Sequence, residues 1–299
     1  MTHISVVIIS KNERGLGETV DALVPQCLKM DAELIIVDAS GGSLDDIAAK
    51  YPDVRWIPFR NPGSKRVTIP EQRNLGVRSA TGDIVVFTDC GCLPSENWLA
   101  EITSPIRRGS EAVVAGPVRS RHRSVYEALE NEAPATQAYI DECPTNNLAF
   151  SKAAFDRVGG FDESFEYGSD IDISWRWRDA GYRILRVPQA LVFSDWGTGR
   201  RQAKRSLMYG AARARLYTKH RSRLRNLPQR DPSAIVYPSF LLGLPMVLLA
   251  PVAPVVLAYP LLLLVPLWRN RKTMPVATVY GHLLYGVGIC WQLGRQVVR

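Results

Sequence analysis

Hydrophobic positions follow two regimes along the 299 residues. In the first regime, short apolar runs alternate with stretches of helical spacing. Ile4–Ser10, Glu33–Val37, Val54–Phe59 and Ile84–Thr88 are rich in β-branched and aromatic residues and bounded by polar or turn residues. Such runs predict strands buried on both faces of a parallel sheet. Between them, Val20, Leu23, Val24 and Cys27 repeat at helical spacing, as do Leu44, Ile47 and Ala48. Pro70–Ala80 predicts a helix with proline near its first turn and Gly82 just past its end. Strand, helix, strand, helix in this rhythm means a mostly parallel sheet with right-handed crossovers, an α/β fold.

The rhythm continues less regularly. Residues 111–118 predict a strand, Ser124–Ile140 a loose helix, and Pro144–Phe150 a strand. Ser151 then caps a helix that stops at Gly159-Gly160, a second helix from Gly168 ends at Gly181, and a last strand lies within Ala190–Trp196.

Beyond residue 200 the regime changes. Leu207, Ala211, Ala214 and Tyr217 give an apolar stripe to an otherwise basic stretch, which predicts a basic amphipathic helix. Ala234–Trp268 then holds no charged residue and six prolines. As one straight helix it would measure ~52 Å, too long for a hydrocarbon core of ~30 Å. Pro251 and Pro254 fall at its middle and predict a hairpin, either two crossings or a re-entrant loop. Val276–Leu293 is a further apolar stretch that crosses or lies flat.

Charge sharpens this division. The net charge of +8 comes from residues 200–230, which hold eleven Lys and Arg and no acid. Everything else has 26 basic against 29 acidic residues, so the basicity is one surface patch. A basic amphipathic helix beside apolar sequence points to an anionic membrane surface. A nucleic-acid contact is the competing explanation, but no recognised RNA or DNA module accompanies the patch. The five cysteines show no zinc spacing and are expected as free thiols in a reducing compartment; nothing at the start reads as a signal peptide.

The candidate chemistry lies at strand ends. Lys11-Asn12-Glu13, Asp38-Ala39-Ser40 and Asp89-Cys90-Gly91 each follow a predicted strand, so one edge of the sheet gathers Glu13, Asp38 and Asp89. Open α/β sheets bind ligands along that edge, and a carboxylate there accepts hydrogen bonds from a base or ribose. The chain has neither Gly-x-Gly-x-x-Gly after the first strand nor a Walker lysine loop, which argues against nicotinamide and P-loop chemistry. Farther on, Asp170 and Asp172 lie in the first turn of a predicted helix, where the helix dipole alone favours acids.

Four motifs in order, Ser5–Glu13, Val37–Ser43, Gln72–Arg78 and Thr81–Asp89, resemble family 2 glycosyltransferases of the GT-A fold over roughly residues 3–200. The resemblance implies an inverting hexosyl transfer from a nucleotide-diphosphate sugar. It implies that Lys11, Asn12, Glu13, Asp38, Ser40, Arg73, Asn74, Asp89 and Asn147 bind the donor, and that Asp89 is the first acid of a DxD motif. The stretch from Gly168 resembles the family's Gly-Glu-Asp-x-Asp-Leu pattern, with Ser169 in place of Glu. That makes Asp170, in preference to Asp172, the base that takes the acceptor's proton. With Gly91 and Ser194 at the usual metal-ligand positions, either Asp89 and Asp195 hold a Mn or Mg ion, or cationic side chains replace it. Arg200 and Arg201 are then candidates to stabilise the leaving diphosphate. Gln202-Ala-Lys-Arg205 lacks the tryptophan that follows in processive synthases, so a single addition is expected.

These readings predict a GT-A domain over residues 1–199, a membrane-surface segment over 200–230 and membrane-embedded helices over 231–299. The expected acceptor is a lipid-linked group or glycan, the expected location the cell membrane with the catalytic domain facing the cytoplasm, and nucleic acid is not an expected partner. A scaffold that keeps the fold without its chemistry is the alternative that Gly91 and Ser194 leave open.

Overall fold

The structure is a computed structural model describing residues 3–59, 68–121, 136–195, 197, 199–271 and 275–297. Two compact units divide it, one ending at Asp195 and the other taking the described residues from 197 onward.

In the first unit the predicted runs are strands: β1 (Ile4–Ser10), β2 (Ala32–Asp38), β3 (Arg55–Pro58) and β4 (Ile84–Asp89). They pair in parallel in the order β3-β2-β1-β4. Alternation of side chains sends Val6 and Ile8 to one face of the sheet and Val7 to the other. Both faces are covered, which is why these strands read as continuous apolar runs. Val6, Ile8, Ile36 and Val86 pack with α1 (Leu16–Met30) and α4 (Trp98–Arg107). Val7, Val37, Val85 and Phe87 pack with α3 (Ile69–Ser79), α5 (Lys152–Arg157) and α6 (Ser169–Asp179).

Helix α3 starts on a capping box, with Thr68 Oγ1 accepting from the Glu71 N–H and the Glu71 carboxylate accepting from the Thr68 N–H. Gly76 lets it sit close on the sheet, since a Cβ there would lie 2.4 Å from Val7 Cγ1. A short α2 (Asp45–Ala48) precedes β3.

The second half of the sheet departs from the simple alternation. The strand expected at 111–118 is two, β6 (Val113–Ala115) and β7 (Val118–Ser120), because Gly116-Pro117 breaks it between two sheets. The expected strand at 144–150 is β9 (Asn147–Ser151), which runs antiparallel between β4 and β6. Ala138–Ile140 is a strand, β8, and not the end of a helix; the rest of that predicted helix, 124–135, lies outside the described residues. β8 pairs antiparallel with β10 (Ile184–Arg186), closing the order β3-β2-β1-β4-β9-β6-β10-β8. The last strand, β11 (Val192–Ser194), joins β7 and β5 (Leu93–Pro94) in a small second sheet.

The second unit is helical. Its basic stretch forms α7 (Gly199–Lys219), which buries Gly210, Ala211, Ala214 and Tyr217. After a 3-10 turn at Arg221–Asn226 come α8 (Leu227–Arg230) and α9 (Ser233–Gly243), then 3-10 segments Leu244–Leu249 and Pro254–Leu263, α10 (Leu264–Arg269) and α11 (Pro275–Val297). α7 and α11 touch backbone to backbone. A Cβ on Gly210 would lie 1.9 Å from the Tyr285 carbonyl oxygen, and one on Gly288 2.0 Å from that of Leu207. The basic stretch and the apolar end therefore share one core. Among the described residues no single helix is long and apolar enough to cross a membrane; Arg221–Arg230 with Ser233–Leu249 would qualify together but bends by 84°.

Candidate active site

Strand register gathers the loops expected to bind a donor. Ser10 at the end of β1 pairs with Asp38, and Ile9 with Asp89, so the loops after β1, β2 and β4 leave the sheet at one edge. Lys11, Asn12 and Glu13 are exposed there, and Asp38, Ser40 and Asp89 are half-buried.

Two of these loops are tied to each other. The Asn12 N–H donates to Ser40 Oγ (2.7 Å), Ser43 Oγ donates to Asn12 Oδ1 (2.7 Å), and the Ser40 N–H donates to Asp38 Oδ1 (3.2 Å). Asn12 itself takes a left-handed backbone, φ 58°, which asparagine tolerates better than most residues. These bonds fix the Asp38 carboxylate beside the Lys11–Glu13 loop before any ligand arrives.

Helix α3 supplies the next group. Arg73 is buried, its Nη2 donating to Asp89 Oδ1 at 3.2 Å. Its guanidinium lies 6.0 Å from the Phe87 ring centroid and 5.8 Å from that of Phe161, positions in which the ring faces stabilise a cation. Neighbouring Asn74 does different work. Its Nδ2 donates to the Phe161 carbonyl and to Glu163 Oε1, both at 2.9 Å, and its Oδ1 accepts from the Phe161 N–H at 2.9 Å. The side chain is buried and holds the Gly160–Glu163 turn that leads to α6.

Asn147 is likewise occupied within the protein. It has no exposed surface, accepts from Trp98 Nε1 (2.8 Å), and donates to the carbonyls of Pro117 (2.7 Å) and Ala190 (2.8 Å). Placed so, it ties β9 to the Gly116-Pro117 break and has no face to offer a donor sugar.

The two acids in the first turn of α6 part company. Asp170, at the first turn, is half-buried. Its carboxyl is pushed above the usual aspartate range chiefly by desolvation, with Arg73 and the Ile171 N–H pulling the other way. Asp172 has no exposed surface and is held by Arg176, whose Nε donates to Oδ2 at 2.9 Å. Arg176 also donates to the Val158 carbonyl, so the pair ties α6 to the end of α5.

At the DxD position Asp89 is followed by a tight turn in which the Cys92 N–H donates to the Asp89 carbonyl (3.1 Å). Gly91 takes φ 76°, and its N–H donates to Thr19 Oγ1 (2.9 Å). Cys92 is buried beside Ser194, and burial pushes its thiol up to about 11. The position expected of a histidine thus does come next to the DxD turn, carrying a hydroxyl. Among the described residues no three His, Cys, Asp or Glu side chains converge as a metal site. Divalent ions of this kind want several hard oxygen ligands. The DxD turn itself offers one carboxylate, Asp89, and it is already paired with Arg73, so the side chains of the turn do not fit a metal held by protein alone.

Arg200 and Arg201 open α7 in the second unit and are exposed. The five cysteines form no disulfide.

Residues 5–200 match Glycosyl transferase family 2. A pre-mycofactocin glycosyltransferase of Mycobacterium tuberculosis is 28% identical over 235 residues, covering 72% of this chain and 47% of that protein. An N-acetylglucosaminyl-diphospho-decaprenol L-rhamnosyltransferase of the same organism is 28% identical over 180 residues, 60% of this chain and 54% of that one. The chain thus spans about half the length of these curated relatives. Among solved structures, a mannosyltransferase from Pyrobaculum calidifontis in complex with GDP-Man and Mn2+ superposes with a TM-score of 0.64 at 21% identity, covering 96% of this chain and 87% of that one. GalNAc-T7 with UDP, GalNAc and Mn2+ superposes at 0.54 and 17% identity over 72% of this chain and 51% of that one. Both likenesses speak for the fold.

Proposed function

We propose, from the premise that the chain belongs to glycosyl transferase family 2, that it moves a hexosyl group from a nucleotide-diphosphate sugar to an acceptor hydroxyl with inversion. The observation that carries this reading is the placement of Asp170. Of the two acids in the first turn of α6 it is the one with open surface, it lies within the field of Arg73, and its raised pKa suits a group that must take up a proton. The donor's base and ribose would meet Lys11–Glu13, Asp38 and Ser40, and its diphosphate would lie toward Asp89 and Arg73. Asp170 would remove the acceptor proton as the acceptor oxygen attacks the anomeric carbon, and the nucleoside diphosphate leaves with the electrons of the broken bond. Arg73 would meet the charge that develops on that diphosphate.

The proposed acceptor is lipid-linked and receives a single sugar. A relative whose name specifies a decaprenol-linked acceptor and the exposed apolar surface of the second unit support this choice. We place the protein at the cell membrane with the first unit in the cytoplasm, where nucleotide sugars are made.

The test is Asp170→Asn in the whole chain. Turnover should fall by ~10²–10⁴-fold, the range for loss of a general base, while nucleoside-diphosphate affinity stays within a factor of two or so. Equal loss of nucleotide binding would put Asp170 on the donor side and overturn its role. A scaffold without chemistry would show no turnover, and no donor hydrolysis, even unsubstituted.

A further inference from the structure

The second unit wears its apolar surface on the outside. Two legs, Ser233–Leu249 and Pro254–Arg269, fold against each other along an aromatic seam. The Phe240 and Tyr259 rings stack with centroids 5.2 Å apart, and the Tyr259 hydroxyl donates to the Phe240 carbonyl at 3.1 Å. Gly243 makes room for that contact, since a Cβ there would lie 2.1 Å from Tyr259 Oη.

Away from the seam the side chains are bare. Leu248, Val252 and Val255, around the turn, are 81%, 89% and 79% exposed, and Leu257, Leu261, Val265 and Trp268 continue the exposure down the second leg. Leu262 and Leu264 between them are exposed as well, and no residue of the leg is fully buried, so the exposure runs around the leg and not along one stripe. A protein partner covers a stripe, whereas lipid covers a helix all round.

The backbone of the turn points the same way. Hydrocarbon offers no hydrogen-bond partner, so a turn inside it must satisfy its own donors. The N–H groups of Ala250, Val252, Ala253 and Val256 all donate to carbonyls within the turn, at 2.8–3.1 Å. Pro251 and Pro254 carry no N–H at all. Residues 248–257 have no polar side chain, where a loop emerging into water on the far side would need some.

The feet are the opposite. Arg230 stands before the first leg and Arg269 and Arg271 after the second. The Arg271 guanidinium lies 4.2 Å from the Trp268 ring centroid, a pairing suited to the headgroup layer. Cations at both feet match an anionic lipid surface.

We infer that residues 233–269 form a re-entrant hairpin. It enters an anionic bilayer from the face that carries Arg230, Arg269 and Arg271, turns inside the hydrocarbon near Val252, and leaves by the same face. This deepens the membrane attachment proposed above and rests on it. The hairpin would hold the protein on one leaflet, the leaflet whose headgroups present a lipid-linked acceptor.

The experiment uses the full chain in sealed membrane vesicles of both orientations, with Gln229→Cys, Asn270→Cys or Val252→Cys introduced one at a time. A membrane-impermeant maleimide is added, and labelling is read above the background of the unsubstituted chain. Gln229→Cys and Asn270→Cys should label from one and the same side. Val252→Cys should stay at background from both sides until detergent is added. Labelling of Val252→Cys from the side opposite the feet would make the hairpin a double crossing and overturn the inference while sparing membrane attachment. Flotation of the unsubstituted chain with phosphatidylglycerol vesicles tests the attachment separately. A chain that does not float, and dimerises as its concentration rises, would assign this surface to a second copy and remove both readings.

Discussion

Asp170 and Asp172 stand two residues apart on α6, and the helix gives them opposite surroundings. Removing one partner of a buried ion pair leaves the other uncompensated, at a cost of ~3–5 kcal/mol. Asp172→Asn should therefore lower the thermal midpoint sharply, by the loss of its bond to Arg176. Asp170→Asn should leave the midpoint unchanged or higher. The sign follows from the raised pKa: the charged form costs the fold stability above that pKa, and the cost is relieved as pH falls through it. The amide removes the charge at every pH. The same shift predicts that kcat/KM falls with decreasing pH through a value above the ordinary aspartate 3.8. A pH profile with no acid limb above that value would count against Asp170 as the base. A second prediction at this scale concerns the ion. With Asp89 paired to Arg73 and glycine at position 91, turnover should persist in EDTA. Abolition by EDTA and recovery with Mn2+ would show that Asp89 leaves Arg73 and shares an ion with the donor's phosphates.

Helices α7 and α11 owe their contact to residues that are hardly there. Gly210 and Gly288 put backbone against backbone, and α7 can be strongly basic because its inner stripe is only glycine and alanine, with Leu216 and Tyr217 toward its end. A valine at 288 would push its Cβ into the Leu207 carbonyl. Overpacking of this kind typically costs ~1–3 kcal/mol. Gly288→Val should loosen the second unit, seen as faster amide exchange over α7 and α11, with exchange in the sheet of the first unit unchanged. Uniform acceleration across both units would mean that they unfold as one.

At the scale of the whole molecule, the division at Asp195 predicts separable duties. The first unit contains its own two-faced core and every residue assigned to the donor apart from Arg200 and Arg201. A chain ending at Asp195 should bind nucleoside diphosphates within about tenfold of the full chain, a loss of up to ~1.4 kcal/mol, yet should transfer poorly to a long-chain polyprenyl acceptor. Calorimetry on both chains checks the first part and turnover on a micelle-borne acceptor the second. Full activity of the short chain on that acceptor would reduce the second unit to an attachment.

The chain's local patterns were enough to determine the four parallel strands, the helices on α3 and α6, and the strand-end loops, because each is a contiguous run with a period of its own. The apolar runs at Ile4, Glu33 and Ile84 need no partner to be read, and neither does the shift to arginine and then to proline-broken apolar sequence after residue 200. Pairing was different. That β9 inserts antiparallel beside β4, that Ala138–Ile140 is a strand, and that Gly116-Pro117 hands the chain from one sheet to another depend on contacts distant in sequence. The site divides in the same way. Motif spacing pointed to Asp38, Asp89 and Asp170 as candidates, but it could not tell an open asparagine from a spent one. Asn74 and Asn147 have their hydrogen bonds taken by Phe161, Glu163, Trp98, Pro117 and Ala190, none of them a neighbour in the chain. Whether a polar side chain faces a ligand or the protein is settled by what the fold brings to it, and that only the tertiary structure decides.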